Sequence, residues 1–193
     1  IQKKTLEDLR QYLQKEKISI MAVRSSSPQE DLEGASFSGI YESVLGATDN
    51  TLEYAIKTCF ASVMDQRVIL YKQNRGFNPY DPEIAVIIQK QIASDISGGA
   101  FTINPINNCY DQIVINANYG LGTTVVDGSV TPDQWIIDKV TNSTIEKKVG
   151  NKIIACYLKP DEGIETKITE YKDEFCLSEN QVFAIIRLAN QIE

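Results

Sequence analysis

Arg24, Ser25, Ser26 and Ser27 follow directly on an apolar run, Ile18 to Val23, and a loop of small residues, Ala35-Ser36-Phe37-Ser38-Gly39, comes soon after. A strand that delivers a guanidinium and hydroxyls beside such a loop is laid out for phosphate. The guanidinium fork pairs with phosphate oxygens, and small residues let backbone N–H groups approach them. The whole stretch, Ile20 to Gly46, is the part of the chain best equipped for chemistry. The missing residue types matter as much. The chain has no histidine, which excludes a Ser-His-Asp triad, a histidine-ligated metal and a phosphohistidine carrier within these residues. Cys59, Cys109, Cys156 and Cys176 share no metal-like spacing and read as reduced thiols of a cytoplasmic protein. Glu30-Asp31 reads as a solvated turn, not an acid–base pair.

These residues need elements to hold them. The chain has 193 residues, a net charge of −7 and a pI near 4.8. That length suffices for one sizeable core or two small lobes. The acidic balance argues against a nucleic-acid or anionic-membrane surface, but not against ATP in a locally basic site. No long apolar segment suggests a membrane span. Residues 5 to 16 predict an amphipathic helix with Thr5 and Asp8 as its capping signal. Residues 51 to 74 predict a second helix, begun by Asn50 and Glu53, with Leu52, Ile56, Phe60 and Met64 as its stripe. Arg75 to Pro79, with Pro82, breaks it. Ile84 to Ile88 reads as a strand covered on both faces. Further strands are expected at Ala100–Ile103, Gln112–Ala117, Trp135–Val140, Ile145–Val149 and Lys152–Leu158, with Gly150-Asn151 as a hairpin turn between the last two. Thr166, Ile168 and Tyr171 suggest an edge strand. Ser178 and Gln181 make a capping box for a closing helix. The shift from helix-rich to strand-rich sequence places a domain boundary near residues 89 to 98, giving domains 1–92 and 93–193.

Val23-Arg24-Ser25-Ser26, Glu30-Asp31-Leu32 followed by Ala35-Ser36-Phe37-Ser38-Gly39, and Tyr41-Glu42-Ser43-Val44-Leu45 together resemble the nucleotide-binding domain of the pyruvate phosphate dikinase and phosphoenolpyruvate synthase family. That family also includes rifamycin phosphotransferases and glucan water dikinases. Ile87-Ile88-Gln89-Lys90-Gln91-Ile92, Ser97 to Pro105, Asn118 to Gly122, Val125 to Gly128 and Thr131-Pro132-Asp133 extend the resemblance over nearly the whole chain. Thr123 departs from it by standing where the family usually has glutamate, and Ile40 by standing where glutamine is common.

The resemblance implies an α+β, ATP-grasp-like fold of two lobes with ATP held between them. It implies ATP contacts from Arg24 and Ser25 near the phosphates, from Ser36 and Gly39 in a phosphate-covering loop, and from Ser43 in place of a threonine hydroxyl. Gln89 would meet the adenine edge, and the Ile92 backbone would bond a ring nitrogen. Mg²⁺ is implied as well, with its main acidic ligand outside this chain and none within it. The implied function is the ATP-binding region of a phosphoenolpyruvate synthase or pyruvate phosphate dikinase-like phosphotransferase, which phosphorylates a histidine on another domain. Its partners would be the phosphohistidine and acceptor-binding domains of a longer parent. Alternatives are the ATP-binding domain of a rifamycin phosphotransferase or glucan water dikinase, or a non-catalytic nucleotide-binding module. The chain reads as an excised piece, and by itself is expected not to catalyse phosphoryl transfer.

Overall fold

The computed structural model of the chain describes residues 1–28, 31–32, 35–36, 39–80 and 83–193. The fold mixes helices with several separate sheets. The chain divides into two compact units, Ile1–Ile92 with Lys159–Gly163, and Ala93–Leu158 with Ile164–Glu193.

The first unit contains α1 (Lys3–Lys15), β1 (Met21–Ser26), a two-stranded hairpin of β2 (Asp31–Leu32) and β3 (Ala35–Ser36), β4 (Ser43–Ala47), α2 (Leu52–Ala61), a 3-10 turn (Ser62–Met64), α3 (Gln66–Asn74) and β5 (Ala85–Lys90). Its main sheet has the order β4-β1-β5, antiparallel throughout. Met21 and Val23 of the central strand pack against Leu6 and Leu13 of α1 and Leu52, Ile56 and Cys59 of α2. That apolar burial holds the helices to the sheet.

Three expectations change here. First, α1 starts at Lys3, with Gln2 as an N-cap that makes no side-chain bond. Thr5 and Asp8 therefore do not cap it, and the buried Leu6–Leu13 stripe sets the helix instead. Second, residues 51–74 are not one helix. Asp65 is extended (φ −61°, ψ 141°) and separates the 3-10 turn from α3. The apolar pattern explains the break: Leu52, Ile56 and Cys59 serve the main core, whereas Val63 and Val68 serve a second cluster with Tyr41. Phe60 and Met64, read as part of one stripe, are exposed. Third, β5 is an edge strand, with Val86 and Ile88 on the core while Ala85, Ile87 and Gln89 are exposed. Pro82 lies outside the described residues.

Gly46 permits the β1–β4 pairing. The register shifts between Met21↔Ala47 and Val23↔Val44, and Gly46 takes φ +69° in that bulge. Gly163 donates its N–H to the Gly46 carbonyl at 2.9 Å. A Cβ on Gly46 would stand 2.4 Å from the Gly163 oxygen.

The second unit is built on an antiparallel sheet, β6 (Ile96–Phe101), β7 (Gln112–Tyr119), β8 (Asp133–Asp138) and β9 (Thr144–Lys148), in sequence order. α4 (Thr123–Val126) follows β7, and β10 (Ile154–Leu158) pairs with β11 (Ile164–Ile168) in a separate hairpin. The closing helix, α5 (Glu179–Ile192), begins at the expected capping box of Ser178 and Gln181. Its Val182, Ile186 and Ala189 cover Ile113, Ile115, Trp135 and Ile137.

Gly150-Asn151 is not a hairpin turn, because β9 pairs with β8 and β10 with β11. Gly150 is drawn inward instead. Its N–H donates to Asp133 Oδ1 at 2.8 Å, and a Cβ there would lie 2.1 Å from the Thr131 oxygen. The same carboxylate accepts from Lys152 Nζ at 2.5 Å and, through Oδ2, from the Cys176 N–H at 2.7 Å. Lys152 also donates to the Lys172 carbonyl at 3.1 Å. Asp133 and Lys152 are both fully buried. One ion pair thus ties together the start of β8, the connecting segment at residue 150 and the segment leading to α5. Burial, reinforced by the neighbouring Asp133 carboxylate, pushes the Cys176 thiol up to about 12.

Two outcomes follow. Lys152→Met would leave Asp133 buried without its counter-ion, a loss of roughly 3–5 kcal/mol. The melting temperature should fall by roughly 6–20 °C, and calorimetry showing no fall would contradict the role. For Cys176 the folded value lies above the ordinary thiol value of 9.0. Its contribution is therefore whole below pH 9 and lost as pH rises towards 12. Urea midpoints measured across that window should decline less steeply in Cys176→Ala than in the parent chain.

Candidate functional site

The alternation of β1 decides which side chains leave the core. Met21 and Val23 point inward, so Ala22 and Arg24 point to the other face. In register, Arg24 stands opposite Ser43 on β4 and opposite Ile87 on β5, and Ala22 stands opposite Gln89. Arg24, Ser43, Ile87 and Gln89 therefore share one exposed face of a three-stranded sheet. Directly opposed side chains on such a face have Cβ atoms about 4.5–5.5 Å apart. Arg24 makes no ion pair with a described residue, so its guanidinium is available to a ligand.

The other sequence candidates fall elsewhere. Ser25 is half-buried and stands opposite Val86, on the core side of the sheet. Ser36 pairs with Asp31 in the short β2–β3 hairpin. Gly39 is exposed with φ +72°, and a Cβ added there would meet nothing within 4 Å. Ile92 is exposed just beyond β5, where Gln91 N–H still reaches the Ile20 carbonyl at 2.9 Å. Glu30, Phe37 and Ser38 lie outside the described residues. The structure thus brings Arg24, Ser43 and Gln89 together on one face and separates Ser25 from them.

Sequence reading missed Ile87. It is 46% exposed and presents an apolar surface between the arginine and the glutamine. The run Ala85 to Ile88 is continuously apolar, so periodicity gave no sign that one face is open. The alternate placement of Gln89 after Ile87 was the available signal.

Among the described residues no group of three or more histidine, cysteine, aspartate or glutamate side chains is placed to hold a metal ion. Among the described residues no helix is long and apolar enough to cross a membrane.

An arginine, a hydroxyl and an amide presented from one open sheet face can together hold a polar, anionic ligand. Comparison with known proteins makes the class specific: the chain belongs to the family described as pyruvate phosphate dikinase, AMP/ATP-binding domain, which it matches over residues 2–193. It is 39% identical over 186 residues to the phosphoenolpyruvate synthase of Aquifex aeolicus, covering 90% of this chain and 22% of that protein. It is 38% identical over 186 residues to an uncharacterized phosphotransferase, YvkC, of Bacillus subtilis, covering 94% of this chain and 22% of that protein. It is 36% identical over 180 residues to a probable phosphoenolpyruvate synthase of Methanocaldococcus jannaschii, covering 90% of this chain and 15% of that protein. The chain thus spans about a fifth of the length of these relatives.

Adjacent residues on β5 should respond oppositely to the same change. Ile88→Ser removes a side chain packed on the core and should destabilise by roughly 2–4 kcal/mol. Ile87→Ser, on the open face, should stay within about 0.5 kcal/mol of the parent. Chemical denaturation of both variants checks the pair, and equal losses would mean that the assigned faces are wrong.

Proposed function

We propose that this chain is the ATP-binding region of a larger phosphotransferase of the phosphoenolpyruvate synthase or pyruvate phosphate dikinase type. The observation that carries the reading is the placement of Arg24, Ser43 and Gln89 on one sheet face, in a chain that belongs to an AMP/ATP-binding family. In this reading the Arg24 guanidinium holds phosphate oxygens by charge-assisted hydrogen bonds. Ser43, directly across the strand pair, donates its hydroxyl to the same group. Gln89 meets the adenine edge, Ile87 supplies apolar surface beside it, and the Ile92 N–H bonds a ring nitrogen. Ser36 and Gly39 belong to the loop that covers the phosphates.

The fold we propose is ATP-grasp, its two lobes corresponding to the two compact units. The division after Ile92 supports this, with residues 159–163 returning to the first unit. Phosphoryl transfer depends mostly on positioning and on neutralising charge. This chain supplies positioning and one cation. Mg²⁺, when bound, neutralises the remaining phosphate charge, with its main acidic ligand in the parent protein beyond these residues. The phosphoryl group passes to a histidine on another domain of that parent, because this chain has none. The small share of its relatives that the chain covers supports such a parent.

The test is Arg24→Ala in the full-length parent protein. Charge-assisted hydrogen bonds contribute roughly 1.5–3 kcal/mol each, so ATP affinity should fall about 10- to 150-fold with the melting temperature unchanged. Ser43→Ala, which removes a neutral donor, should cost only about 2- to 10-fold. Titration calorimetry showing unaltered ATP affinity in Arg24→Ala would remove the site from this face.

A further inference from the structure

The junction between β7 and α4 holds two buried oxygens for which the described residues supply no partner. Asn118 is 1% exposed. Its amide nitrogen donates to Thr124 Oγ1 at 2.8 Å and to the Ile154 carbonyl at 3.0 Å, so both of its N–H groups are used. The Ile154 carbonyl can only accept, which fixes the amide, since turning it would set oxygen against oxygen. Asn118 Oδ1 is then buried without a hydrogen bond among the described residues, as is Thr123 Oγ1. Buried side-chain oxygens are seldom left so, because each forfeits its hydration for nothing.

There is also room at this junction. Gly122 has φ −68° and ψ −2°, a conformation open to any residue. Apart from its neighbours in the chain, a methyl group built on it would meet Ser97 Cβ alone, at 3.6 Å, among the described residues. Ser97 is the register partner of Asn118 on β6. A space the size of a methyl group, and so about that of a water molecule, therefore lies beside the residues that carry the two unpartnered oxygens.

We propose that this junction is a binding site for one ordered water molecule, which donates to Asn118 Oδ1 and is hydrogen-bonded to Thr123 Oγ1. Asn118 offers only an acceptor, so the occupant must bring a hydrogen. An anion is repelled by the amide oxygen, and an apolar occupant would leave both oxygens unpaired. Water meets both demands in a space of this size. Its role is to join the end of β7 to the first turn of α4, so that Thr123 holds its position through solvent and not through a side-chain partner.

Two conservative variants of the chain test this through the sign of their effects. Gly122→Ala fits the local backbone, and in a dry site it would raise stability by restricting the unfolded chain. Thr123→Val keeps the shape of the side chain, and in a dry site it would raise stability by removing an unpaired hydroxyl. With water bound, the alanine methyl displaces it and the valine deprives it of a partner. Each melting temperature should then fall by roughly 2–4 °C. Oxygen-17 relaxation dispersion should count one fewer long-lived water in Gly122→Ala than in the parent chain. A rise in melting temperature in either variant, or an unchanged water count, overturns the proposal.

Discussion

The first unit depends on the burial of two side chains, Met21 and Val23, which are almost completely withdrawn from water at the centre of the sheet. Because side chains alternate along a strand, their burial fixes where Arg24 points. A slip of one residue would expose both apolar groups and bury the guanidinium without a counter-ion. Burying an unpaired charge costs far more than any gain from the altered pairing. The same alternation passes through the ladder to β4 and β5 and brings Ser43 and Gln89 to the arginine. The face that handles ligand is thus set by an apolar constraint on the opposite face.

The second unit solves a different problem. Its sheet is a meander whose outer strand, β9, is exposed along its whole length, so sheet packing alone does little to fix the segments that follow. Asp133 does this instead, by gathering the Gly150 N–H, the Lys152 ammonium and the Cys176 N–H around one carboxylate. Such a pair contributes little net stability against an apolar replacement of the same shape, but removing one member is costly. It fixes the path of the chain more than it holds the chain together.

Much of this was legible in the sequence where local signals and packing agree. Ser178 and Gln181 announced α5, and the β-branched run within Gln112 to Ala117 announced the strand β7. Local signals failed where tertiary packing took over. Thr5 and Asp8 have the chemistry of a cap, but the leucine stripe begins the helix earlier. The apolar spacing through residues 51 to 74 looks continuous, yet it serves two separate clusters with a break between them. Gly150-Asn151 has the composition of a hairpin turn, but the partner that claims Gly150 is an aspartate 17 residues earlier in the chain. At the ligand face, Arg24, Ser43 and Gln89 were found from the motif, and their common face follows from strand register. Ile87 escaped because an uninterrupted apolar run does not reveal which side is covered.

The hydrogen bond from Gly163 to Gly46 bears on how the protein comes into being. The first unit includes residues 159–163, so its last piece leaves the ribosome only after some 70 further residues have been made. At translation speeds of about 5–20 residues per second, the arginine-bearing sheet waits roughly 4–14 s with the bulge at Gly46 unsealed. During that interval the carbonyl of Gly46 must be satisfied by solvent or by a chaperone. Completion of the N-terminal half is therefore timed by synthesis of the C-terminal half.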